Sequence, residues 1–172
     1  TFLDEGAAGA PEALWNDSSQ RHAIQSVLDA GNIELFGMGY DPGYPHLSGY
    51  KKWINYALSQ NPDTRFFIAV PWPADPESFG SELYEASYLS TELAVNTLVD
   101  TLRSRNPGVD IYALPYGRSA VELHSLYEAD DLPDTSSLVG PGAVSIFTDT
   151  QGSPGDILSA LGQVVWLGAI YA

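Results

Sequence analysis

Arg65-Phe66-Phe67-Ile68-Ala69-Val70 is an unbroken apolar run behind a single arginine, and Pro71-Trp72-Pro73 stops it. A strand with one wet face alternates apolar and polar residues. A run that is apolar at every position has to be covered on both faces, as in a parallel sheet between two layers of helices. Upstream, Leu47, Tyr50, Trp53, Ile54, Ala57 and Leu58 share one helical stripe, which Asn61-Pro62 ends. The short apolar run at residues 33–38 precedes that helix as a second strand. Before it, Asn16 or Asp17 can cap a helix from about Ser18, with Ala23, Val27 and Ala30 on one face and Gly31 as its stop.

The same alternation continues downstream. The spacing predicts a long helix over residues 81–104 with Leu83, Ala86, Leu89, Leu93, Leu98 and Leu102 as its buried stripe. Asn106-Pro107-Gly108 turns the chain into a strand at 109–114. A helix follows near 119–128, then a polar connection over 130–142 and a last strand at 143–147. Residues 157–171 form a closing helix, apolar enough to be expected buried but shorter than the ~20 residues that span a bilayer. Four strands separated by helices predict an α/β fold: a three-layer sandwich with one parallel sheet, in a single domain over 1–172. The helix ahead of Ile33 implies one more strand, upstream of or around Thr1.

Composition narrows the function. Asp and Glu number 22 against 7 Lys and Arg, giving a formal charge of −15. Such a surface repels nucleic acid and anionic membranes, so neither is an expected partner. It suits a secreted or periplasmic setting. The chain has no cysteine, which removes thiol nucleophiles, disulfides and Cys-ligated zinc. Asp130, Asp131 and Asp134 lack the spacing of a calcium loop, and no histidine pair has zinc-ligand spacing, so no metal or other cofactor is expected. Gly6-Ala7-Ala8-Gly9-Ala10 lacks the Lys-Ser/Thr ending of a phosphate loop.

In open α/β sheets ligands sit at the carboxyl ends of the strands. That rim gathers Met38-Gly39-Tyr40-Asp41, Pro71-Trp72, Tyr116-Gly117-Arg118 and Asp149 to Ser153. Trp72, held between two prolines, is either a sugar-stacking platform or a lid over the core. Tyr40, Asp41 and Tyr116 are placed to line the same cleft. Arg118 is the only Lys or Arg after Arg105; it binds an anionic or carbonyl group, or it pairs with Asp41, Asp149 or another neighbouring carboxylate. His22 and His124 read as surface or packing residues, and His46 is the one local candidate for a general base.

Two stretches resemble blocks of bacterial SGNH/GDSL-type hydrolases. One is Leu114-Pro115-Tyr116-Gly117-Arg118-Ser119-Ala120-Val121-Glu122-Leu123. The other is Phe147-Thr148-Asp149 with Gly152, followed by Ile157-Leu158 and Val165-Trp166-Leu167-Gly168-Ala169-Ile170-Tyr171. Gly6 to Pro11 is similar to the block whose glycine, here Gly9, offers its N–H to an oxyanion. The resemblance implies a flavodoxin-like sandwich and hydrolysis of esters, often of acylated carbohydrates, by a serine with a His/Asp pair. Asp149 then takes the acidic position, and Ser153 stands where the family has histidine. Serine cannot serve as a general base near neutral pH. The family's nucleophile block would lie before Thr1, and residues 37–41 lack its oxyanion-hole Asn. The resemblance thus implies an esterase or its inactive remnant, and the alternative is a catalytically dead relative that binds glycan or associates with itself.

Overall fold

The computed structural model describes residues 6–171. In chain order they form a 3-10 turn at Gly6–Gly9, α1 (Pro11–Asn16), α2 (Ser18–Leu28), β1 (Leu35–Gly39), α3 (Leu47–Gln60), β2 (Arg65–Ala69), α4 (Ser81–Arg105), β3 (Ile111–Leu114), α5 (Arg118–Glu128), β4 (Ser137–Val139), β5 (Ser145–Phe147) and α6 (Asp156–Tyr171). The protein is α/β, with parallel sheets flanked by helices. The chain divides into two compact units. Among the described residues one comprises 6–69 and 94–113, the other 70–93 and 114–171.

The first unit holds a parallel sheet in the order β1-β2-β3. β1 pairs with β2 from Leu35↔Arg65 to Gly39↔Ala69. β2 is central, and all four of its residues after Arg65 are buried, as its unbroken apolar sequence requires. α3 buries Tyr50, Trp53, Ile54 and Ala57 of the stripe read from its spacing, together with Gly49, and leaves Leu47 and Leu58 half-buried. Trp53 is 1% exposed, and its indole N–H donates to the Pro11 carbonyl at 2.8 Å. A ring of that size removes 150–250 Å² from water, roughly 4–6 kcal/mol of transfer free energy once the N–H is satisfied. α1 approaches α3 closely because position 49 is glycine: a Cβ there would meet the Glu12 backbone nitrogen at 2.3 Å. Asp17 caps α2, accepting from the Ser19 and Gln20 N–H groups. The inner face of α2 differs from expectation. Ala23, Val27 and Ala30 are exposed, and Leu28 is the buried residue.

In the second unit the last strand does not extend a four-stranded sheet. β5 pairs in parallel with β4, a three-residue strand inside the supposed polar connection. A 3-10 turn at Gly142–Val144 lies in the connection between the two strands, and the buried Ser145 hydroxyl lies within 2.8–2.9 Å of the Gly140, Pro141 and Phe147 carbonyls, to which it can donate. The stripe expected along α4 is met at Leu102 but not along the rest of the helix. Tyr84, Tyr88, Val95, Val99 and Leu102 are buried, whereas Leu83, Leu89 and Leu93 are 64, 44 and 69% exposed. Tyr84 explains the choice. Its ring stacks on His124 at 4.7 Å and meets Phe147 edge-on at 6.3 Å, while its hydroxyl donates to the Pro73 carbonyl at 2.9 Å. A leucine one position earlier offers no such anchor. α6, expected to be buried, covers only Leu158 and Gly162; Ile157, Val164, Leu167, Ile170 and Tyr171 face outward. No helix among the described residues is long and apolar enough to cross a membrane.

Candidate functional site

The second unit brings together three of the rim segments. Val70 donates to the Leu114 carbonyl at 2.8 Å, and Gly117 returns the contact by donating to the Val70 carbonyl at 3.0 Å. Position 117 must be glycine for this approach, since a Cβ would stand 2.5 Å from the Pro71 carbonyl carbon and the Trp72 nitrogen. Trp72 is held from its other side. Its indole N–H donates to the Gly152 carbonyl at 2.9 Å, and Asp75 N–H donates to the Thr150 carbonyl at 3.1 Å. Gly152 sits at φ +88°, a conformation that favours glycine and lets the turn present that carbonyl to the indole.

Trp72 meets Tyr116 edge-on with ring centroids 5.2 Å apart, and Tyr116 lies 5.9 Å from Trp166 of α6. All three side chains are half-buried. With its N–H already satisfied, the Trp72 indole is fixed in place with part of its ring surface open. Trp166 was not among the residues the sequence singled out as a site. It lies in a helix apolar on every side, where nothing in the pattern sets one aromatic residue apart.

Asp149 serves its own turn. Its Oδ1 accepts from the Gln151 N–H at 3.0 Å and the Ser153 N–H at 2.9 Å. The Ser153 hydroxyl bond to the carboxylate, and then the Ser153 backbone bond, hold its pKa below the ordinary 3.8 against the opposing effect of desolvation. A carboxylate so stabilised is a weak base and gives the Ser153 hydroxyl no help in losing its proton. What the pair does geometrically is place the side chain of residue 153 directly beside the carboxylate.

Arg118 is committed elsewhere. It pairs with Glu85 of α4 at 2.9 Å and Glu122 of α5 at 2.8 Å, neither being the aspartates considered from sequence, and those carboxylates raise its pKa further. His124 is fully buried. Its Nε2 lies 3.0 Å from the Pro76 carbonyl, which only accepts, so that nitrogen carries the proton.

The remaining sequence candidates belong to the first unit. Gly9 ends the 3-10 turn before α1. Asp41 accepts from the Gly43 N–H at 2.7 Å, another carboxylate closing its own turn. Tyr40 lines an apolar recess of about 220 Å³ with Pro45, Leu47 and Leu98. Its pKa is raised by burial and then by Asp41. His46 is paired with Glu12 at 3.5 Å and packs edge-on against Tyr44. No group of three His, Asp or Glu side chains that could hold a metal ion occurs among the described residues. The chain matches no family model, no curated protein and no solved structure.

Proposed function

We propose that this chain is a non-catalytic relative of the SGNH hydrolases that binds carbohydrate, acylated sugars included, through Trp72, Tyr116 and Trp166. The observation that carries this reading is the linked run of half-buried rings with Trp72 clamped to the Gly152 carbonyl. The apolar C–H face of a pyranose packs on such a ring, and a ring already immobilised loses little entropy on binding. The chemistry around Asp149 supports binding over turnover. Its carboxylate is held by Ser153 and Gln151 backbone groups and the Ser153 hydroxyl, with no imidazole among those partners.

A glycan array followed by calorimetry on the best ligand tests the reading. We expect saturable binding to at least one plain or acetylated polysaccharide fragment and its loss in Trp72→Ala. A flat array response with the folded chain would overturn it.

One observation favours ester hydrolysis as a second reading, namely the position of residue 153 against Asp149. If the site belongs to a hydrolase, a chain given an upstream segment that supplies the family's serine and carrying Ser153→His should release acid from a short-chain aryl ester faster than the same extended chain with Ser153. Equal, background rates in both proteins would dispose of that version.

A further inference from the structure

A cavity lies at the amino ends of β2 and β3 in the first unit. We infer that this notch binds a small monocarboxylate with an apolar body, such as an aromatic or short-chain carboxylic acid. Its volume of about 450 Å³ falls within the range of small-molecule clefts. Arg65 and Arg103, two of only seven basic residues in a chain of net charge −15, both line it.

The two arginines are prepared differently. Arg103 Nε donates to the Ile111 carbonyl at 2.6 Å and Nη1 reaches Asp100 at 3.4 Å, so its guanidinium is fixed in orientation. The guanidinium of Arg65 has no hydrogen bond or ion pair among the described residues, although its backbone N–H is anchored on the Glu34 carbonyl at 2.9 Å. A fixed fork beside a free one suits a carboxylate, which accepts from guanidinium groups through both oxygens.

Charge sets the valence of the ligand. Asp100 pairs with Arg103 and Asp110 shares the lining, so the positive charge left without an ion-pair partner among the described residues is that of Arg65. A monoanion neutralises that charge; a dianion would leave an excess negative charge on a protein whose wider field already repels anions. The rest of the lining sets the body of the ligand. Ile111 and the half-buried Tyr112 ring give an apolar wall, and Gly108, at φ +87°, has open space where a side chain would stand. This inference does not depend on the carbohydrate reading, whose residues lie in the other unit.

Titration of the ¹⁵N-labelled chain with sodium benzoate at low ionic strength tests it, with benzamide as the uncharged isostere and inorganic phosphate as the more highly charged anion. Benzoate should give saturable shifts at the Gly108 and Tyr112 amides, with phosphate weaker and benzamide without effect. Arg65→Gln should weaken benzoate about tenfold or more, the usual cost of losing a charge-assisted bond. Absence of saturation by benzoate, or equal shifts with benzamide, would overturn the proposal on the unmodified protein alone, whatever the variant does. Unchanged affinity in a folded Arg65→Gln would also overturn it, leaving the arginines as guards of the sheet edge.

Discussion

The loop after β1 and the loop after β5 use the same device to different ends. Each leaves a strand, and each places an aspartate that accepts from the backbone two residues on, Asp41 from Gly43 and Asp149 from Gln151. The first loop adds only local bonds, Tyr44 N–H to the Asp41 carbonyl at 3.0 Å and His46 N–H to the Tyr44 carbonyl at 2.9 Å, and leaves Gly43 and its prolines exposed. The second is drawn tight. Asp149 takes Ser153 as well, Thr148 donates to the Ser153 carbonyl at 2.7 Å, and Gly155 donates to Ile146 at 2.7 Å. That closure aims the Gly152 carbonyl at the Trp72 indole. An aspartate after a strand therefore marks a turn in both places, and a tryptophan is positioned only where the surrounding backbone closes around it.

The contrast is broken most severely at the glycines. Alanine at Gly155 would put a Cβ 2.3 Å from the Ser145 carbonyl oxygen and 3.0 Å from those of Gly142 and Ile146, all of them backbone. Gly155→Ala should cost about 3 kcal/mol in urea unfolding, since no neighbouring side chain can yield. A loss under ~1 kcal/mol would mean that the loop is far looser than described. Next is Trp72→Ala, expected to cost about 2 kcal/mol, less than a fully buried tryptophan because the ring is half-exposed. The same variant releases the Gly152 carbonyl, so the turn should loosen and the Gly152 N–H, which donates to the Asp149 carbonyl at 3.2 Å, should exchange faster, which hydrogen-exchange measurement resolves.

Asp149→Asn sharpens the comparison through pH. The folded-state pKa of Asp149 is depressed, so the stabilisation is complete above the ordinary carboxylate value and fades as pH falls through the lower folded value. Thermal melts should show the variant less stable near neutrality, with the gap to the parent closing in acid. A gap that is constant with pH would mean the carboxylate charge is immaterial. The smallest effect is expected at Gly43→Ala, whose Cβ would stand 3.2 Å from Asp41 Oδ1, a side-chain atom able to rotate away. About 0.5 kcal/mol is expected, typical of a surface substitution, and a loss as large as that at Gly155 would erase the distinction between the loops.

The parts of the fold legible in the sequence were those with strong contrast. β2 could be read because no polar residue interrupts it, and α3 because its apolar residues fall on one face. α4 carries two competing stripes, and hydrophobicity alone favoured the leucines. The tyrosines are buried because their rings and hydroxyls both find partners, which depends on residues distant in sequence. β4 has three residues and no pattern, and α6 is apolar all round, so spacing assigns it no face. At the candidate site, the proximity of Trp72, Tyr116 and Asp149 to Ser153 was legible from their strand ends. The commitment of Arg118 to Glu85 and the place of Trp166 were not, because both depend on how helices pack.

The indole N–H resonance of Trp72, assigned by its disappearance in Trp72→Phe, reports on the central proposal most directly. On titration with the best-binding saccharide it should move to saturation while the Trp53 indole, bonded to the Pro11 carbonyl in the core, stays still. A saccharide that binds without moving Trp72, or acid released from its ester by the unmodified chain above background, would contradict a non-catalytic carbohydrate-binding role.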